Sequence, residues 1–172
     1  MLSDQGPGDQ GRGDEGSGRS WLDIVGTLVR LGLAAIWLAS GWLKAIDPDQ
    51  TYVAVRAYNV MPDSAVAAVA AGLPYLELAL GLLVLLGLGT RLVAVLSALL
   101  FLVFIAGVAQ AWARGLSIDC GCFGGGGDVA PDKTSYGTEL LRDSGFLVLA
   151  AWLIIRPRTL FALDDVLTRG GR

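Results

Sequence analysis

Four apolar stretches dominate the chain, separated by short polar segments. The first runs about Trp21–Leu43, the second about Ser64–Leu88 and the third about Leu92–Ala113. A helix needs about 20 residues to cross a bilayer core of roughly 30 Å, so each of these three suffices alone. The fourth stretch has an unbroken apolar run, Gly145–Ile155, that is too short by itself. Arg156 and Arg158 place its end at the membrane surface. Counting back about 20 residues at 1.5 Å each puts its start near Tyr136–Thr138. Arg142 and Asp143 then fall inside the outer third of the span. Either both snorkel to the interface, or they face the bundle interior. The pattern predicts an all-α integral membrane four-helix bundle over residues 21–158.

The flanks behave differently. The first 20 residues are polar and Gly-rich, with six glycines and no aromatic among residues 1–19, which predicts a disordered tail. Its length and acidity argue against a signal peptide. Residues 159–172 form a second tail. Between the first two spans, IDPDQTYVAVRAYNVMPDS offers Asp47 as an N-cap and Pro48 at the first helical position. Tyr52, Val53, Val55 and Tyr58 add apolar surface, so a short interfacial helix ending before Pro62 is expected. With four spans, both tails and the turn at residues 89–91 share one side, and that side carries the larger number of Lys and Arg. The positive-inside bias puts both termini in the cytoplasm. A bacterial cytoplasmic membrane, with the loop before the fourth span outside, is the expected location.

Composition narrows the chemistry. The chain has 172 residues, 53% of them hydrophobic, and no histidine. Absence of histidine removes the commonest metal ligand, general base and haem ligand, so neither metal nor haem is expected. The net charge of −3 and the lack of a basic face give no nucleic-acid signal.

The two cysteines stand one residue apart in SIDCGCFGGGG, residues 117–127. As a structural staple, a Cys120–Cys122 disulfide would close a three-residue loop and stabilise by only about 1.6 kcal/mol before strain. Two thiols without histidine do not complete a zinc site. Two unrelated free thiols are a further reading. Glycine between the cysteines widens the accessible backbone angles and makes a small ring feasible. Such a ring is strained and readily reduced, and the later glycines would leave room for a partner's thiol. An exposed, outward-facing exchange site is the expectation, in the compartment where disulfides persist.

Charges within the spans supply candidate helpers. Glu77 sits mid-span, and Pro74 three residues earlier leaves a carbonyl unsatisfied one turn back. Together they predict a polar notch facing the bundle, not lipid. Glu77 and Pro74 would line a quinone site where Glu77 handles protons, or Glu77 would clamp helices through Arg30 or Arg142. Lys44 would lower a cysteine pKa by its charge or serve as an ordinary interfacial lysine. Arg114 and Arg142 are rivals for that task. Trp37, Trp42, Trp112, Trp152 and Tyr136 read as interface or packing aromatics.

DCGCFG after the third span resembles the MauE family, membrane proteins of methylamine utilisation related to DoxX. SGWLKAIDP at the end of the first span, LPYLEL in the second and LLRDSG opening the fourth agree with that pattern, and the resemblance covers about residues 22–156. Asp143 departs from it, since the family more often reads Arg-Asn there. The resemblance implies a four-helix bundle similar in outline to the DsbB and vitamin K epoxide reductase proteins. It also implies disulfide formation or exchange outside the cytoplasm with a thioredoxin-like or DsbA-like partner. In methylamine users this serves maturation of the disulfide-rich methylamine dehydrogenase small subunit. A relay between two cysteine pairs, as in DsbB-like proteins, is excluded by the single pair.

The resulting expectation is a quinone-linked thiol–disulfide oxidoreductase, with Cys120 and Cys122 as the exchanging pair and Glu77, Lys44 and Arg142 as helpers. A non-enzymatic assembly or scaffold subunit is the alternative. A small transporter is disfavoured because the two halves show no inverted repeat.

Overall fold

A computed structural model describes residues 14–157 and Thr159. Five helices follow in order: α1 (Asp14–Ile46), α2 (Pro48–Ala57), α3 (Asp63–Leu86), α4 (Thr90–Ala113) and α5 (Tyr136–Ile155). Between α4 and α5 lie a two-stranded antiparallel hairpin, β1 (Ile118–Asp119) with β2 (Gly127–Asp128), and a 3₁₀ turn at Pro131–Lys133. The hairpin pairs Ile118 with Asp128 and Asp119 with Gly127, so the cysteines occupy its tip. α1 begins at Asp14, inside the stretch expected to be disordered, while residues 1–13 lie outside the described residues. The expected C-terminal tail lies outside them too, apart from Thr159.

Three helical segments are long and apolar enough to cross a membrane: Trp21–Ile46, Asp63–Leu86 and Thr90–Ala113. α5 starts at Tyr136, within the range that length alone requires. It does not join the other three in apolarity, because Glu139, Arg142 and Asp143 occupy its first two turns. Asp143 is buried and Arg142 half-buried, so both turn toward the protein interior instead of snorkelling.

Packing explains the layout. α1 packs most extensively on α3, and α4 on α5, with α1 also touching α5. The core holds Leu33, Trp37, Leu80, Val84, Phe101 and Leu153. Trp37 stacks on Phe101 at 4.4 Å between centroids and donates its indole N–H to Ser97 Oγ at 2.9 Å. It is therefore a core residue, whereas Trp42 and Trp112 are exposed. Gly41 lets α1 lie against α3: a Cβ there would meet the Pro74 carbonyl oxygen and Leu78 N at 2.9 Å. Small residues at helix crossings permit such approach where lipid removes the hydrophobic drive for association.

α2 forms as its cap predicts. Asp47 Oδ1 accepts the Gln50 N–H at 3.1 Å and Pro48 opens the first turn. It ends at Ala57, well before Pro62. Its buried residues, Thr51 and Ala54, face inward. This face is the platform on which the cysteine hairpin rests.

Candidate functional site

The hairpin tip is folded tightly onto α2. Gly121 and Gly126 have φ of +67° and +99°, backbone that favours glycine. A Cβ on either would come within 2.7 and 2.6 Å of Ala54 Cβ, respectively. Gln50 Nε2 donates to Gly126 O at 2.6 Å, and Tyr58 Oη donates to Cys120 O at 3.2 Å. From the other side, Tyr136 Oη donates to Leu116 O at 2.6 Å and accepts the Ile118 N–H at 3.0 Å. Tyr136 is thus a buried anchor of the hairpin rather than an interface aromatic. The glycine run, expected to leave an open approach, is instead used to press the loop against α2.

Cys120 and Cys122 are free thiols, 9% and 8% exposed. One expectation is corrected here. The pair is buried rather than exposed, because Ala54, Val108, Ala111 and Tyr136 close around it; the structure describes its dithiol form. The two residues differ electrostatically. The Cys120 thiol is held below its ordinary range by a hydrogen bond from the Cys122 thiol. Burial opposes this, and Arg142 and the Cys122 N–H add to it. Arg142 Nη2 lies 3.4 Å from Cys120 Sγ, as does the Cys122 amide nitrogen. The Cys122 thiol is pushed well up, because it donates to Cys120 and is buried. Cys120 is therefore the more acidic of the two thiols and Cys122 the one that keeps its proton longer.

Arg142 is fixed for this contact. Its Nε donates to Asp143 Oδ1 at 2.9 Å, and its guanidinium carbon lies 5.1 Å from the Phe123 ring centroid. Arg114, the rival cation, points away and donates to Tyr58 O and Asn59 O. Asp143, the departure in the LLRDSG segment, is the partner that aims Arg142.

Lys44 and Glu77 meet behind the other cysteine. Lys44 Nζ is 3.0 Å from Glu77 Oε2, with both side chains buried. It also donates to Ser40 Oγ at 2.6 Å and to Cys122 O at 2.9 Å. The Ser40 hydroxyl lies 2.6 Å from Cys122 O and 2.9 Å from Glu77 Oε2. Glu77 thus pairs with Lys44, not with Arg30 or Arg142 as expected. Arg30 stands about 21 Å back along α1 at 1.5 Å per residue, and Arg142 is engaged by Asp143. Lys44 touches the backbone of Cys122 and not a thiol.

A cavity of about 150 Å³ opens beside the pair, lined by Lys44, Tyr58, Leu73, Phe104, Cys120 and Cys122 among others. Neither Glu77 nor Pro74 lines it; the Glu77 carboxylate is turned to Ser40 and Lys44 of α1. The cavity walls are mostly apolar, the usual character of a small-molecule site.

Sequence reasoning missed Glu139, Ser40 and the role of Tyr136. A signal existed for two of them. Glu139, Arg142 and Asp143 stand at i, i+3 and i+4, hence on one helix face, and Ser40 precedes Lys44 by four residues.

The arrangement defines a helical membrane protein that carries a polarised dithiol between an apolar cavity and a charged cluster. The chain belongs to the family of methylamine utilisation proteins MauE, whose model matches residues 22–156. It is 39% identical over 104 residues to "Methylamine utilization protein MauE" from Paracoccus denitrificans. That match covers 57% of this chain and 53% of the relative, so the chain spans about half the length of that relative. No solved structure matches the chain.

Proposed function

We propose that this protein is a quinone-linked thiol–disulfide oxidoreductase of the bacterial cytoplasmic membrane. In this reading α1, α3, α4 and α5 all cross the membrane, both termini are cytoplasmic, and the hairpin lies on the outer side. A thiolate of an extracytoplasmic thioredoxin-like or DsbA-like partner attacks Cys122 of the Cys120–Cys122 disulfide. Cys120 leaves as a thiolate, since the sulfur with the lower pKa is the better leaving group. The partner's second thiol then resolves the mixed disulfide, leaving the partner oxidised and Cys122 protonated. The observation that carries the reading is the 3.4 Å contact between Arg142 Nη2 and Cys120 Sγ, with Cys122 one residue away.

The dithiol must pass two electrons onward, and the chain has no second cysteine pair. A membrane quinone in the apolar cavity would supply that two-electron sink. Lys44 and Tyr58 hold the backbone carbonyls of Cys122 and Cys120 against the cavity. Similarity to the Paracoccus denitrificans protein supports a place in methylamine utilisation, with a disulfide-rich subunit of methylamine dehydrogenase as the client.

Burial of both thiols favours the second reading, a non-enzymatic assembly subunit. One experiment separates the two. The redox state of Cys120 and Cys122 is trapped in cells by acid quenching and maleimide alkylation, with and without a block of quinone reoxidation. Oxidoreductase function requires a pair that is oxidised at rest and becomes reduced under the block. A pair that keeps one state under both conditions favours the assembly subunit.

A further inference from the structure

Glu139 is a buried carboxylate with no assigned task. It lies in the first turn of α5 and is 7% exposed. Its carboxylate, that of Asp119 and the Cys120 sulfur lie within 4.8 Å of one another. One of its oxygens, Oε2, is buried without a hydrogen-bond partner. Leaving a buried acceptor unsatisfied is costly, and the carboxylate that carries this one stands beside the Cys120 sulfur.

Three such donors also suit a metal ion, but the surroundings oppose it. Arg142 Nη2 already stands 3.4 Å from the same sulfur, and a fixed cation there repels a second one. The cluster has instead the form of a proton path. Cys122 donates its proton toward Cys120, Glu139 adjoins Cys120, and Asp119 adjoins Glu139 and is partly solvent-exposed. The apolar cavity touches both cysteines as well, while Glu139 and Asp119 are not among its lining residues.

We infer that Glu139 is the general base and acid of the cysteine pair, taking the Cys122 proton by way of Cys120 and releasing it through Asp119. This rests on the oxidoreductase reading above. When the dithiol monoanion is oxidised, the S–S bond forms and two electrons go to an acceptor of the quinone class. The Cys122 proton goes to Glu139. The reduced acceptor takes up two protons in all, one equivalent to that proton and one from water. Reduction of the disulfide by a partner runs the path inward, and Glu139 returns a proton to Cys122. The groups facing Glu139 are Asp119 from β1, Cys120 and Cys122 from the hairpin tip, Arg142 and Asp143 from α5, and Tyr58 after α2. The pH response therefore belongs to this set.

The test uses the full-length protein in quinone-containing liposomes, with Glu139→Gln and Glu139→Asp beside wild type. Two rates are read across pH: alkylation of Cys120 by iodoacetamide in the reduced protein, and reoxidation of the dithiol by quinone. Removing the negative charge beside Cys120 should keep or increase its alkylation rate at neutral pH. Reoxidation should fall about 10²-fold or more in Glu139→Gln, the usual scale of a lost general base. Its pH dependence should flatten, with partial recovery in Glu139→Asp. Slowing of both rates together would mark Glu139 as merely structural and overturn the inference. Unchanged reoxidation would overturn it too, as would a chelator that lowers wild type to the level of Glu139→Gln, which would indicate a metal. If wild type itself shows no quinone-dependent reoxidation, the oxidoreductase reading fails, whereas wild-type activity with an indifferent Glu139→Gln defeats this inference alone.

Discussion

Cys120 and Cys122 have the same chemistry in the sequence and opposite roles in the fold. The difference comes first from the hydrogen bond that Cys122 donates to Cys120, and the Arg142 guanidinium adds to it on one side only. Arg142 faces Cys120 at 3.4 Å, while Cys122 meets Lys44 and Ser40 only through its backbone carbonyl. The sign of the pH effect follows. Cys120 is lowered, so it is thiolate at a pH where an ordinary thiol near 8.5 is still protonated. Cys122 is raised, so it stays protonated as pH climbs through that range. In the reduced protein, iodoacetamide at neutral pH should label Cys120 and spare Cys122, read by peptide mass spectrometry. Arg142→Gln removes the charge that favours the thiolate. Labelling of Cys120 at pH 7 should then slow about tenfold, the equivalent of one pKa unit, and equal labelling of both thiols in wild type would contradict the assignment. Replacing either cysteine with serine should abolish oxidation of a thioredoxin-like partner, while trapping of that partner as a mixed disulfide should persist only where Cys122 remains.

Elements hold the pair in place from two sides. α1 and α3 contribute the Ser40–Lys44–Glu77 group, and α2 contributes the Ala54 platform. Breaking a buried ion pair by removing one partner strands the other charge and typically costs about 3–5 kcal/mol. Lys44→Met should therefore destabilise the protein by about that amount in detergent-based unfolding. Lys44→Met with Glu77→Leu should recover much of it, because no charge is then stranded. The double variant still lacks the donor to Cys122 O, so it tests whether the clamp matters to exchange as well as to stability. On the α2 side, Gly126→Ala combines an unfavourable φ with a contact 2.6 Å from Ala54 Cβ. It should cost about 1–3 kcal/mol. Ala54→Gly should return only the part due to Ala54, since the Gly121 Cα at 2.8 Å still obstructs the added methyl, and the double-mutant cycle measures that part.

Across the whole molecule, the open quantity is the number of crossings. α1, α3 and α4 are long and apolar enough to span; α5 has 20 residues, about 30 Å of helix, with its charges gathered at one end. Single cysteines placed in a Cys120→Ser, Cys122→Ser background report sidedness through a membrane-impermeant maleimide. Asp132→Cys, in the loop before α5, should label in intact spheroplasts. Arg91→Cys and Arg156→Cys should label only after permeabilisation. Exterior labelling of Arg156→Cys would reduce the crossings to three and leave α5 on the outer surface.

Much of this was readable from residue order because a bilayer imposes length and polarity on each helix. The apolar stretches, the Asp47-Pro48 start of α2 and the restart of α5 at Tyr136 all follow from local pattern. The MauE resemblance likewise rests on short motifs that survive as linear text. Partner choice did not follow, because it depends on where helices cross. Glu77 takes Lys44 because α1 and α3 approach closely at Gly41, and Asp143 fixes Arg142 beside Cys120 because α5 turns its charged face inward. The open, exposed loop suggested by five glycines in residues 121–127 became a packed hairpin, since positive φ let it fold onto Ala54. The sequence by itself determined which groups are present and the membrane character of the helices. Only the tertiary structure decided which sulfur is the more acidic and which carboxylate stands beside it, because charge interactions decay over a few ångströms and those distances are set by packing.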